Sequence, residues 1–315
     1  MILFENVSKE YAPNSFAVQN LSFEVKEGEI LVLLGRSGSG KTTALRLINR
    51  LIEPTTGKIL FKGKNLLDLD PIDLRRHIGY AIQHIGLFLH MTVGENVGIV
   101  PRLLGWNEKK IADRVGALLT MVGLEPETFR DVKPGKLSGG QKQRIGVARA
   151  LAADPPVILM DEPFGALDPL MREQLQQEFL EIQSKIRRTI VFVTHDLSEA
   201  VKMGDRIAIF EEGKLLQIAS PKELIESPAN AFVDAFLGKD RFQLILQTQS
   251  LQEYITCLRP GKQKTHPQLS LNASLMETLT TFKITETEAV GVYNEQTYLG
   301  DLPRSEFLES LIRHV

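Results

Sequence analysis

The chain of 315 residues has a single cysteine, Cys257, so no disulfide can close within it and a reducing compartment is expected. Its formal net charge is only -2, which leaves no bulk positive field for nucleic acid. No apolar run approaches the roughly 18 residues that a membrane span requires. The opening stretch, MILFENVSKEY, carries Glu5 early and has no basic segment leading into an apolar one, so a signal peptide is not expected. These absences point to a cytosolic protein that would serve a membrane only by docking to another chain. The rest is ordinary for a globular protein, with 43% hydrophobic and 24% charged residues and a length that suits two domains.

The most informative stretch is GRSGSGKTT, residues 35–43. It follows the apolar run Ile30 to Leu34, which reads as a buried strand, and precedes Ala44 to Leu51, which reads as a helix. Gly35, Gly40, Lys41 and Thr42 fill the phosphate-loop template in its strand–loop–helix setting. Gly35, Arg36, Ser37, Gly38, Ser39 and Gly40 would turn backbone N–H groups toward an anion, with no Cβ in the way at the glycines. The helix start, with Thr43, adds unpaired N–H groups and a positive dipole end. Lys41 can reach the outer phosphates of a nucleotide, and the Thr42 hydroxyl is placed to ligate Mg²⁺.

Ahead of that loop, Ile2 to Val7 and Phe16 to Val25 read as antiparallel strands, with Pro13 and Asn14 at the turn and Tyr11 in the loop between them. Tyr11 can stack on a purine or simply pack at a strand end. After it, GKILFKGKNL (57–66) reads as a hairpin, 71–76 as a short helix, and Ile78 to Ile82 as a strand. That strand runs into Gln83, which either ends it as a polar residue or contacts a metal and water opposite the phosphate loop. The next loop is apolar, with Ile85, Leu87, Phe88, Leu89 and Met91, and either offers a protein-docking surface or is covered by a following helix.

Residues 93–130 read as mostly helical, with Ile111, Val115, Leu118, Leu119 and Val122 on a core face. LSGGQ, 137–141, places Ser138, Gly139, Gly140 and Gln141 at a helix start, as an ordinary cap or as a second anion site. VILMDEP, 157–163, is a second buried strand ending in two carboxylates. Asp161 fits a metal-holding aspartate at the C-terminal end of a parallel strand. Glu162, one step on, is expected to point the other way and to face a water as general base. GALD leads from Gly165 to Asp168 and into a helix over Leu170 to Lys185. Ile190 to Thr194 delivers His195 at a strand end, where it is structural or contacts a terminal phosphate. A hairpin pair, Asp205 to Phe210 and Lys214 to Ile218, and a helix over Asn230 to Leu237 follow, and 238–241 is the expected junction.

Taken together and in order, these motifs resemble an ATP-binding-cassette (ABC) ATPase over residues 1–240: Walker A at 35–42, the Q-loop residue Gln83, the signature LSGGQ, Walker B at 157–162, the D-loop ending in Asp168, and the switch residue His195. Tyr11 matches the adenine-stacking aromatic. The resemblance implies an α/β phosphate-loop NTPase fold with a mixed core sheet, an antiparallel β subdomain and a helical subdomain. It implies ATP and Mg²⁺ as cofactors, with Thr42, Gln83 and Asp161 around the metal. Lys41, Gln83, Glu162 and His195 would act in catalysis. The working unit would be two copies of the chain, head to tail, with ATP between Walker A of one and the signature of the other. FGALDPLMREQLQ, IGLFLHMTVGENV and SPANAFVDAFLGKDR further resemble the ATPases of osmoprotectant importers for glycine betaine, carnitine or choline. That likeness implies a transmembrane permease docked at the Q-loop groove, an extracytoplasmic substrate-binding protein as indirect partner, no nucleic acid, and a peripheral place on the cytoplasmic face of the membrane. An importer ATPase for another small solute, such as a polar amino acid, carries the same motifs. Arg36 and Leu89 stand where many relatives have proline. The tail, 241–315, resembles in 274–311 a single cystathionine-β-synthase (CBS) type motif, a small α+β unit of helix, strand, turn, strand and helix. One such motif cannot bury its sheet alone, so it is expected to pair with the same tail of a second copy, as a sensor or as a dimerisation prop.

Overall fold

The computed structural model describes residues 1–82, 86–165, 167–255, 258–260 and 266–314. Gln83, Ile85 and Cys257, singled out above, lie outside the described residues. The chain divides into two compact units, Met1–Ile218 and Ala219–Val315.

The first unit opens with a long antiparallel pair, β1 (Ile2–Ala12) and β2 (Ser15–Val25). Phe4 of β1 stacks on Phe23 of β2 with ring centroids 4.4 Å apart. The strands are longer than expected because Ala12 pairs directly with Ser15. Asn14 closes the tight turn with φ +62°, so Tyr11 sits within β1 rather than in a loop. β3 (Ile30–Gly35) is buried along its whole length, as befits a central parallel strand covered on both faces. α1 (Lys41–Ile48) starts three residues earlier than the apolar pattern suggests. Gly40 caps it at φ +104°, which lets the chain enter the helix abruptly and places Lys41 and Thr42 in the first turn. β4 (Thr56–Phe61), β5 (Lys64–Asn65), α2 (Pro71–Arg76) and β6 (Ile78–Ala81) follow.

A helical region comes next: α3 (Val93–Leu103), α4 (Glu108–Met121), α5 (Pro126–Phe129) and α6 (Gly139–Leu151). Thr92 and Glu95 form a capping box that starts α3. Ile111, Val115, Leu118, Leu119 and Val122 are all buried, in keeping with their helical spacing. β7 (Val157–Asp161), α7 (Pro169–Ile186), β8 (Thr189–Thr194), α8 (Leu197–Met203), β9 (Arg206–Glu211) and β10 (Lys214–Ala219) carry the chain to the division.

Two sheets organise this unit: an antiparallel one, β2-β1-β4-β5, and a six-stranded one, β10-β9-β3-β8-β7-β6. In the larger sheet β3 runs parallel to β8 and β9, and β7 runs parallel to β6 and β8. Leu34 pairs with Thr194 and Asp161 with Val193, so the C-terminal ends of β3, β8 and β7 stand side by side. That register delivers the phosphate loop, His195 and the Asp161–Glu162 pair to one edge, where open α/β sheets bind ligands. Behind the edge, Phe4, Leu31, Leu33, Leu45, Leu47, Val191 and Phe210 share one core. Burial of each large side chain contributes about 1.5–3 kcal/mol, so the loops stand on a rigid base.

The second unit contains α9 (Pro221–Glu226), α10 (Ala231–Leu237), α11 (Arg241–Thr248), α12 (Leu251–Tyr254), β11 (Gln268–Ser270), α13 (Leu275–Thr285), β12 (Ala289–Asn294), β13 (Thr297–Pro303) and α14 (Arg304–His314). Its division from the first unit falls before α9 and not after residue 240. The reason is in α11: Arg241 donates to the Ile225 carbonyl and pairs with Asp234, both at 2.9 Å, and so gathers α9 and α10 onto the tail. β11 runs parallel to β12, and β12 antiparallel to β13. Leu275, Phe282, Val290, Val292, Phe307 and Leu311 make a separate core, with Phe282 and Phe307 5.8 Å apart. Among the described residues no helix is long and apolar enough to cross a membrane.

Candidate functional site

The loop after β3 is built so that only glycine fits at two of its corners. A Cβ at Gly35 would lie 2.1 Å from the Phe210 carbonyl oxygen, and one at Gly40 would lie 2.5 Å from the Ala17 carbonyl oxygen. Between them Gly38, at φ +81°, has nothing within 4 Å of an added Cβ, so the loop is open to solvent there. Gly213 donates its N–H to the Ser39 carbonyl at 3.1 Å and holds the loop from the β9–β10 turn. Lys41 is buried and donates from Nζ to the carbonyls of Gly35 and Arg36, each at 2.8 Å. Burial lowers its pKa, opposed by the negative charge of Glu162, Asp161 and Glu211. Arg36 is exposed and its Nη1 lies 3.9 Å from Glu211 Oε1, while Ser37 is exposed and Thr43 half-buried in α1. The result is a backbone cradle at a helix N-terminus with one buried ammonium behind it, which suits a polyphosphate.

Across from the loop, Thr42 donates from Oγ1 to Asp161 Oδ1 at 3.0 Å. Asp161 is buried, and burial pushes its carboxyl above the usual range despite the Thr42 hydrogen bond. A hydroxyl and a desolvated carboxylate at hydrogen-bond distance are hard oxygen donors, and this pair fits a divalent cation such as Mg²⁺. Glu162 has left the strand. It takes φ +48°, donates its N–H to the Val193 carbonyl at 3.0 Å, and turns its side chain toward His195. Its direction is therefore set by a left-handed turn and not by strand alternation, because β7 ends at Asp161. His195 Nδ1 lies 3.1 Å from Glu162 Oε1, and the ring is largely exposed.

The remaining expected residues are more dispersed. Tyr11 is 60% exposed, with Lys9 Nζ 5.5 Å from its ring centroid, so it is free to stack on a flat ligand. Ser138 and Gln141 exchange hydrogen bonds in a capping box that starts α6, and the Gly139–Gly140 pair begins the helix. A Cβ at Gly140 would come within 3.0 Å of Leu167, so the signature turn touches the loop that leads to α7. Asp168 caps α7 by accepting from the Met171 N–H at 3.1 Å.

Three contributors escaped the reading of the sequence. Gln143 is buried on α6 and donates from Nε2 to the Glu162 carbonyl at 3.1 Å. Its signal was a polar residue on the helix face that the buried Val147 and Ala150 share. Glu211 is the acidic neighbour of both Arg36 and Lys41, and nothing local marks it. Arg149 donates from Nη1 to the Gly86 carbonyl at 2.8 Å and lines a groove of about 350 Å³ with Tyr80, Phe88, Ile99 and Leu103. Phe88, Leu89 and Leu103 expose 43%, 68% and 56% of their surface.

A family model described as ABC transporter matches residues 18–165. The chain is 52% identical over 241 residues to the choline transport ATP-binding protein OpuBA of Bacillus subtilis, covering 76% of this chain and 63% of that protein. It is 53% identical over 245 residues to the osmoprotectant import ATP-binding protein OsmV of Salmonella typhimurium, covering 76% and 64%. It thus spans less than two thirds of the length of these two relatives. With the glycine betaine uptake system ATP-binding protein YehX of Escherichia coli it shares 42% identity over 297 residues, covering 94% of this chain and 95% of that one. Among solved structures, the ATP-binding cassette MJ0796, described as a post-hydrolysis dimer bound to ADP and Pi, superposes with a TM-score of 0.65 at 35% identity, covering 70% of this chain and 98% of that one.

Proposed function

The chain belongs to the ABC transporter ATP-binding proteins, and from that premise we propose that it hydrolyses ATP to drive import of a small solute, a quaternary amine osmoprotectant such as glycine betaine, carnitine or choline. One observation carries the reading: Lys41, Thr42, Asp161, Glu162 and His195 meet at one sheet edge, with Thr42 3.0 Å from Asp161 and His195 3.1 Å from Glu162. In this reading the loop 35–43 cradles the phosphates, Lys41 turns from the loop carbonyls to them, and Tyr11 stacks on adenine. Thr42 and Asp161, with Gln83 as a third group, would hold Mg²⁺, which supplies charge neutralisation on the phosphates. Glu162 orients a water and takes its proton, and His195 stands beside the terminal phosphate.

A second copy of the chain would complete the site with its Ser138–Gln141 turn and Asp168. The permease would dock over the groove beside Arg149, and the exposed Phe88, Leu89 and Leu103 support an apolar partner there. A substrate-binding protein would join indirectly, and the assembly would place this chain peripherally on the cytoplasmic face. Residues 274–311 are read as a single CBS-like motif by which the tail, 241–315, pairs with its counterpart, as a sensor or a dimerisation prop; the exposed Ile284, Leu308 and Ile312 are in keeping with that.

The test is ATP hydrolysis by the purified chain with Mg²⁺, alone and with its permease, beside K41A. Wild-type turnover with loss of nucleotide affinity in K41A is expected; a wild type that neither binds nor splits ATP overturns the proposal. Solute-stimulated hydrolysis with glycine betaine, carnitine and choline against polar amino acids decides the cargo.

A further inference from the structure

Among the described residues, Glu199 is the one carboxylate that the first unit buries without placing it at the nucleotide edge or in a salt bridge. It lies on α8, only 8% exposed, and accepts from Gln176 Nε2 at 2.9 Å. Gln176 is itself 5% exposed and belongs to α7. The Thr194 hydroxyl, on the last residue of β8, is close enough to Glu199 to oppose the rise in pKa that burial causes. Burial of a carboxylate is costly unless polar groups meet it, and here two different elements supply them. One is the helix that Asp168 caps; the other is the strand that delivers His195. A second tie runs parallel to it at the start of α7. Arg172 donates to the Leu167 carbonyl at 3.2 Å and stands 3.9 Å from Asp196, the residue after His195. Gln176 lies two helical turns beyond Asp168, about 12 Å along the axis.

We propose that Glu199 is a positioning residue: with Gln176 it forms a buried strut that fixes the His195 turn to the helix behind Asp168, and so keeps His195 on Glu162. The inference rests on the function proposed for that site. One buried hydrogen bond, Gln176 to Glu199, ties α7 to α8, which begins at Leu197, two residues after His195. Displacement of Asp168, where a second copy would press, is transmitted through α7 to Gln176 and from there to the turn bearing His195. Phosphate binding at Lys41 lies outside this path.

The test compares wild type, E199A, Q176L and the exchanged pair Q176E/E199Q, each folded by circular dichroism, for ATP turnover and for the ring resonances of ¹⁵N-labelled His195. E199A and Q176L should lower kcat about tenfold, the usual scale for a supporting group, and leave KM for ATP within about twofold. Both should displace the His195 resonances. The exchanged pair presents the same donors and acceptors in reverse, and should restore kcat and resonances together. Should E199A fail to fold, Q176L reads the same link with Glu199 itself unchanged. A folded E199A or Q176L with wild-type kcat and unmoved His195 resonances overturns the strut. A wild type without any ATP turnover instead overturns the function proposed above, and the His195 resonances then decide the strut alone.

Discussion

Gln143 donates from Nε2 to the Glu162 carbonyl at 3.1 Å, so the helix that starts with the signature turn holds the peptide of the carboxylate facing His195. The same carbonyl also accepts from the Gly165 N–H at 3.2 Å. Removing Gln143 therefore leaves one partner behind. Q143A is expected to cost about 1 kcal/mol of stability, the net worth of one hydrogen bond. Its turnover should fall several-fold as the left-handed turn at Glu162 loosens. Urea unfolding and steady-state ATPase on the same preparation check both; unchanged turnover would leave Gln143 a packing residue only.

Glu162→Gln keeps the shape and the contact to His195 but removes the base. Turnover should drop by roughly 10²–10⁴-fold, the usual range for general-base catalysis. ATP affinity should change little, because Lys41 and the loop are untouched. A dimer trapped by ATP should appear by light scattering. Hydrolysis at the wild-type rate would move the base elsewhere.

Two glycines of the loop separate backbone strain from collision. Gly38→Ala meets open space and carries only the cost of positive φ, about 1 kcal/mol. Gly40→Ala adds a 2.5 Å approach to the Ala17 carbonyl, and should cost about 3 kcal/mol or more. G38A should still bind nucleotide, whereas G40A should lose binding together with thermal stability. Equal losses in the two variants would mean that the close approach to Ala17 is easily relieved.

Burial raises the pKa of Glu199 above its ordinary 4.5, against the Thr194 hydroxyl and the hydrogen bond from Gln176. The folded chain therefore holds a proton that the unfolded chain has released, and stability falls as pH rises from about 4.5 through the raised value. E199Q cannot ionise and should lack that fall. The stability of E199Q relative to wild type should thus grow with pH across this window and level off above it. Urea midpoints at stepped pH measure it, and parallel profiles for the two proteins would contradict it.

Much of this molecule was legible in its residues because the relevant physics is local. GRSGSGKT after a run of buried aliphatics specifies a glycine-lined anion cradle at a helix start, and no distant contact is needed to see it. The helical spacing of Ile111, Val115, Leu118 and Leu119, and the aliphatic strands ending at Gly35, Asp161 and Thr194, set the element types in the same way. Other features came from contacts between residues far apart in the chain. The side-by-side register of β3, β8 and β7 brings His195 to Glu162 across 33 positions. A left-handed turn, fixed by the Val193 carbonyl, aims Glu162 where alternation along a strand would not. Gln143 and Glu199 look like misplaced polar residues until the groups that satisfy them arrive from other elements. Arg241 decides where the second unit begins by pulling in two helices that local pattern assigns to the first. Local pattern chose the pieces and the anion cradle; long-range hydrogen bonding in a desolvated interior decided which carboxylates and amides would work together.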